Sequence, residues 1–95
     1  MSQLIDCESQ GNPKAVNWND AKITGYPSRG ILQFQEPTFL NEGKLYGLLP
    51  ADFTLKESNM LINNPELQKE IARNMLRDGK LKQWGCHTKV RVAMR

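Results

Sequence analysis

Cys7-Glu8-Ser9-Gln10-Gly11-Asn12-Pro13, followed further along by Gly30-Ile31-Leu32-Gln33-Phe34, decides how this 95-residue chain is read. Upstream of the first run, Leu4, Ile5 and Glu8 fall at helical spacing. Ser2 is placed to cap that helix, and Gly11 and Pro13 are placed to end it. Glu8 then stands in the last turn, where the helix dipole already presents negative character. A carboxylate there is pushed toward its protonated form.

The chain beyond reads as a set of short elements. Residues 17–30 are rich in Asn, Gly, Pro and Ser, with Ile23 and Tyr26 as isolated apolar positions, and they read as a loop or irregular hairpin. Pro37 opens a helix over 38–46 with Phe39, Leu40, Gly43 and Tyr46 on one face and Gly47 past its end. Thr54-Leu55-Lys56-Glu57 has the spacing of a capping box, starting a helix that carries Met60 and Leu61 and stops before Asn63. Asn64 and Pro65 start the clearest helix of all, with Leu67, Ile71, Ala72, Met75 and Leu76 on its apolar stripe and Gly79 after its end. Leu81 and Trp84 return the chain to the core, and 87–95 is a basic tail without pattern.

Composition bounds the possibilities. With 39% hydrophobic and 24% charged residues, the chain suits one small domain with a single core. The formal net charge is +3, and basic residues are scattered instead of forming a stripe with stacking aromatics. That gives mild attraction to an anionic polymer and does not single out nucleic acid, so no nucleic-acid partner is expected. Residues 1–6 have neither a basic n-region nor an apolar h-region, and no run is long enough to span a bilayer. The reading is therefore of a chain with no signal peptide of its own and no membrane insertion.

The single histidine, His87, has no ligand-like spacing to other donors, so neither metal nor cofactor is expected. Cys7 and Cys86 could be bridged across a loop of roughly 80 residues, worth about 4 to 5 kcal/mol in the chain-entropy model. Two unpaired thiols are equally compatible with their positions.

A carboxylic acid that stays protonated near neutral pH is what cleavage of a glycosidic bond requires, because the departing oxygen needs a proton. Leu4, Ile31, Phe34 and Tyr46 could supply Glu8 with the apolar surroundings that raise its pKa. On its own, a glutamate in a helix is equally a solvated surface residue.

The run from Cys7-Glu8-Ser9 through Asn12-Pro13-Lys14-Ala15-Val16-Asn17 resembles the Glu-Ser motif of the lytic transglycosylase domain of the lysozyme-like superfamily. Gly30-Ile31-Leu32-Gln33-Phe34 resembles its Gly-x-x-Gln motif, and 64–86 resembles its closing helix with Gln68, Ile71 and Ala72. Cys7 before the glutamate and Trp84-Gly85-Cys86 are similar to the resuscitation-promoting factor subgroup, in which two cysteines pair. The resemblance spans residues 3–86 and implies a mostly helical, α+β lysozyme-like domain over 1–86. Four to five helices and an irregular or weakly hairpinned cleft wall are expected.

The resemblance further implies a peptidoglycan glycan strand as partner, action at the cell wall, outside the cell or in the periplasm, and a monomer. Glu8 would protonate the leaving oxygen and then accept the proton of the muramic C6 hydroxyl, leaving a 1,6-anhydro end. Ser9 would orient the Glu8 region, Gln33 would bind sugar substituents, and Gly30 would let the backbone approach the glycan. Tyr26 and Tyr46, with Trp18, are candidate sugar platforms, and Cys7 and Cys86 would be bonded to each other.

The segment 19–29 is longer and more polar than the family's usual linker and brings Asp20 with it. Asp20 could serve as the base of an inverting hydrolase, giving a muramidase instead of a transglycosylase. Asp6, two residues from Glu8 on one helix, should point elsewhere. A peptidoglycan-binding module without activity is the alternative of another class.

Overall fold

The computed structural model describes residues 1–87; the basic tail beyond His87 lies outside the described residues. Helix α1 (Ser2–Ser9) is followed by β1 (Val16–Asn17), a 3-10 turn (Trp18–Asp20), α2 (Ala21–Thr24) and β2 (Ser28–Arg29). Then come α3 (Glu36–Leu45), α4 (Leu55–Asn59), α5 (Pro65–Arg77) and a final 3-10 turn (Leu81–Gln83). The domain is mostly helical, with one small antiparallel sheet in which Val16 pairs with Arg29 and Asn17 with Ser28.

Helix α5 forms the floor. Its cap is the Asn64 side chain, which accepts from the N–H groups of Glu66 and Leu67, and Pro65 fits the first turn, where its missing N–H costs nothing. Ile71, Ala72 and Met75 are fully buried on its inner face, and Gln68 shares that face. The capping box of α4 is complete: Thr54 Oγ1 accepts from Glu57 N–H and Glu57 returns a bond from the Thr54 N–H. Helix α3 packs on α4 and α5 through Phe39 and Gly43. Gly43 is needed there, because an added Cβ would fall 2.4 Å from Leu49 Cδ1.

Helix α1 departs from expectation at both ends. Ser2 lies inside the helix, and no side chain caps its start. The left-handed residue that ends it is Gln10, at φ 54°, with Gly11 following at φ 78°. So short a helix has little stability of its own. It is held by the burial of Leu4 in the core and by the Cys7–Cys86 disulfide, whose Cα atoms are 6.1 Å apart.

The segment 17–30 is a weak hairpin, as its composition indicates, but the strands are separated by helical turns, not by irregular loop. A second hairpin follows at once: Arg29 and Phe34 exchange both backbone bonds, at 2.8 and 2.9 Å, around the four-residue turn Gly30–Gln33. Gly-x-x-Gln is thus a tight turn. Ile31 and Leu32 are buried beneath it, and Phe34 packs edge-on to both Phe39 and Trp84.

Candidate active site

Glu8 is brought to a cleft by the last turn of α1 and is half-buried there. Its Oε2 accepts a hydrogen bond of 2.8 Å from the backbone N–H of Cys86, the residue bonded to its own neighbour Cys7. Burial pushes the Glu8 carboxyl above the ordinary 4.5; the Cys86 N–H pulls the other way, and the negative charge of Asp20 adds to the rise. Desolvation is the largest of the three. The large apolar side chains that line the cleft with Glu8 are Ile23, Phe34, Met75 and Trp84. Of the surroundings expected from sequence, Phe34 lines the cleft, whereas Leu4 and Ile31 belong to the core and Tyr46 lies elsewhere.

The cleft has a volume of about 390 Å³. A second, more open basin of about 340 Å³ lies between the end of α1 and β1, bounded by residues 7–10, 15–17 and Gln33. Glu8, Asn17 and Gln33 border both. The carboxylate therefore stands at the junction of two basins.

Asp20 faces the same cleft as Glu8, and these two are the only titratable side chains among the described residues that line it. Asp20 Oδ2 accepts from the buried Ser28 hydroxyl, a bond that spans the base of the hairpin. The helical insert is fixed further by Gln35, whose Nε2 donates to Thr24 Oγ1 at 2.9 Å and to the Tyr26 carbonyl at 3.3 Å. This wall is tied to the start of α3 and does not hang free.

Ser9, next to Glu8, is hydrogen-bonded on both sides. Its hydroxyl reaches the Ile31 carbonyl at 2.7 Å and accepts from the Gly11 N–H, so the end of α1 is latched to the Gly30–Gln33 turn. Ser9→Ala leaves the Ile31 carbonyl without that donor. It is expected to lower unfolding free energy by about 1 to 2 kcal/mol in a urea titration.

Gln33 borders both basins, but its amide nitrogen is committed to the backbone, donating to the carbonyls of Gly30 at 2.9 Å and Ala15 at 3.2 Å. These bonds hold it in the left-handed region, at φ 53°. A non-glycine residue kept there costs on the order of 1 kcal/mol or more, and the surrounding bonds sustain it. Gly30 does not line either basin. It is buried, at φ 83°, and an added Cβ would fall 2.2 Å from Gln68 Nε2. Its missing side chain makes room for Gln68, not for a ligand.

The aromatic expectations need correction. Tyr26 lines neither basin. Tyr46 is bound through its hydroxyl to Asp78 at 2.8 Å, and the Lys80 ammonium covers its ring at 5.2 Å, so that face is taken. Trp18 is 63% exposed, with the Arg29 guanidinium 5.6 Å from its ring centroid. Trp84 is core, its Nε1–H donating to the Leu32 carbonyl at 2.8 Å, and it also borders the cleft. Asp6 is exposed and outside both basins.

Sequence reading missed Asn17, Thr24, Ser28, Gln35, Thr38 and Gln83, all polar and all lining the cleft. Asn17 precedes a helical turn and caps it by accepting from the Asn19 N–H, so that role was discoverable, whereas the Gln35 side chain caps nothing and bonds across to Thr24 and Tyr26. Nothing local marks Gln83.

Among the described residues no cluster of three His, Cys, Asp or Glu side chains could hold a metal, and no helix is long and apolar enough to cross a membrane. The arrangement is a lone raised acid at a junction, one neighbouring carboxylate, and a polar rim over an apolar floor. Comparison with protein-family models, with characterised proteins and with solved structures returns no match, so the geometry of this cleft carries the functional reading.

Proposed function

We propose that this is a lysozyme-like domain that cleaves the peptidoglycan glycan strand between N-acetylmuramic acid and N-acetylglucosamine, by lytic transglycosylation with Glu8 as the single catalytic carboxylate. The observation that carries the reading is Glu8 itself, half-buried, raised in pKa by desolvation, and placed at the junction of two basins. A scissile bond lying across that junction leaves sugar on both sides.

Protonated Glu8 donates to the departing glycosidic oxygen as the bond to C1 breaks. The carboxylate then accepts the proton of the muramic C6 hydroxyl as its oxygen bonds to C1, so the acid is regenerated and no water is consumed. Desolvation favours the protonated resting state that the first step needs. Exclusion of water by Phe34, Met75 and Trp84 would favour the internal hydroxyl over hydrolysis.

Asp20 favours a second reading, because it shares the cleft and its charge helps to keep Glu8 protonated. As the base of a hydrolase it would activate water, and products would carry reducing muramic ends. Mass spectrometry of released muropeptides decides between them, since anhydro ends are lighter by one water. The expected result is anhydro products, with Asp20→Asn lowering the rate less than about tenfold. Reducing ends together with a loss of about a hundredfold or more in Asp20→Asn would replace the transglycosylase by a hydrolase. A purely glycan-binding module would release no fragments.

A further inference from the structure

We propose that the Cys7–Cys86 bridge is a redox control on Glu8: the bridge keeps the Cys86 N–H against the Glu8 carboxylate, and opening it frees that donor together with the strap that carries it. Cys7 directly precedes Glu8, its bonded partner Cys86 supplies the donor, and the bond is 2.8 Å. One covalent link thus fixes both ends of one hydrogen bond.

The geometry also makes the release local. Trp84, immediately before the strap, is anchored independently by its bond to the Leu32 carbonyl and by its edge-on packing with Phe34. Gly85 separates it from Cys86 and has open space around its Cα, so it can act as a hinge. Beyond Cys86, His87 reaches back to the Trp84 carbonyl through its backbone N–H at 3.2 Å and its ring Nδ1 at 2.8 Å, and neither contact ties the strap to α1. With the bridge cut, no covalent link holds Cys86 beside Glu8, and only the hydrogen bond itself and the partial packing of Cys86 against the core remain among the described contacts.

A dithiol supplies the two electrons and two protons: the S–S bond breaks, Cys7 and Cys86 become thiols, and the dithiol becomes its own disulfide. The sign of the effect follows from what the donor does. The Cys86 N–H stabilises the ionised carboxylate, and burial and Asp20 oppose it. Its loss leaves the two opposing influences in force, so Glu8 holds its proton to higher pH. Asp20, from the 3-10 turn, is the titratable group that faces Glu8 across the cleft; Asp6 on the same helix is exposed, and His87 follows Cys86 on the strap. The consequence for catalysis rests on the glycan-cleaving reading, but the consequence for Glu8 does not.

The test is an NMR titration of the Glu8 side-chain carboxyl carbon in the full chain, assigned with Glu8→Gln, before and after reduction by dithiothreitol. The reduced protein is expected to titrate at higher pH, with amide protection at Leu32 and Ile71 retained. Glu8→Asp, one methylene too short to reach the strap, is expected to titrate identically in both redox states. Coincident curves for wild type overturn the proposal. Loss of core protection on reduction also overturns it, because the bridge would then be a staple of the fold and not a control on one residue. Activity on peptidoglycan is read on the same samples: absence of cleavage in both states counts against the glycan reading alone, since the titration does not depend on it.

Discussion

Replacing Glu8 by glutamine is expected to lower the rate of glycan cleavage by about a thousandfold or more, because on the proposed transglycosylase reading the same group serves as acid and then as base. The substitution is nearly isosteric. Its amide oxygen can still accept the Cys86 N–H that Glu8 Oε2 accepts at 2.8 Å, so the strap should remain in place. Cell-wall turbidity and muropeptide release measure the loss directly. Release at more than about a tenth of the wild-type rate would remove Glu8 from the chemistry.

The same variant carries a stability signature of opposite sign. Glu8 titrates above its ordinary value of 4.5 in the folded state, chiefly through desolvation. A group raised in this way favours the fold when protonated, and that contribution is present below the unfolded value and lost as pH rises through the folded one. Above the folded value the wild type bears the cost of an ionised, half-buried carboxylate, and glutamine does not. Glu8→Gln should melt a little higher than wild type once pH has passed that value, and the difference should vanish on acidification to the ordinary value of 4.5 and below. Half of the side chain remains solvated, which keeps the difference small.

The pH profile of catalysis then separates the two mechanisms. A transglycosylase with one carboxylate loses activity only as Glu8 deprotonates, giving a single alkaline limb. A hydrolase that also needs a second carboxylate as base adds an acidic limb and a bell. Asp20→Asn should leave the first profile single-limbed and abolish the acidic limb of the second.

What could be read from the sequence was what is local to it. Asn64 and Pro65, the Thr54 to Glu57 capping box and the stripe Ile71, Ala72, Met75 act within one or two turns, and the structure has them as read. The Cys7–Cys86 pair could be named only through resemblance, because two cysteines 79 residues apart carry no geometric signal. Two of the misassigned residues, Tyr46 and Gly30, have distant partners. Tyr46 reads as a free aromatic until Asp78 binds its hydroxyl 32 residues later. Gly30 reads as a ligand contact until α5 brings up Gln68. Ser2 fails as a cap for a different reason: α1 is held by tertiary burial and a covalent bond, so its start is under little pressure to be capped.

The site itself was half legible. Glu8, Ser9 and Gln33 lie in the two quoted motifs, and the hairpin that carries Asp20 joins them. The rest of the rim comes from Gln35, Thr38, Gln83 and Gly85, which converge only because α3 and the final 3-10 turn pack around Phe34. No spacing rule links them.

Gly30→Ala is expected to be the most destabilising single methyl in the chain, at about 4 kcal/mol or more. The alanine would be forced to φ 83°, which costs about 1 to 2 kcal/mol by itself, and its Cβ would fall 2.2 Å from Gln68 Nε2. Gln68 cannot move aside cheaply. It is fully buried, its Oε1 accepts from the Leu32 N–H at 2.9 Å, and its Nε2 donates to the carbonyls of Arg29 and Ile62. Each buried group left unpaired costs about 1 to 3 kcal/mol.

Gln68→Leu tests the same knot from the other side. It relieves no clash, but it strips the Leu32 N–H and the Ile62 carbonyl of their partner, whereas the Arg29 carbonyl keeps the Phe34 N–H. A loss of about 2 to 5 kcal/mol is expected in chemical denaturation. The double variant Gly30→Ala with Gln68→Ala should be less damaging than the sum of its parts, since the shorter side chain vacates the space the Cβ needs. Gly30→Ala within about 1 kcal/mol of wild type would mean that the turn is not built around Gln68. The turn carries Gln33 on its far end and receives the Ser9 latch through Ile31, so loosening it releases the end of α1. A surviving Gly30→Ala protein should therefore lose cleavage as well as stability, although residue 30 lines neither basin beside Glu8.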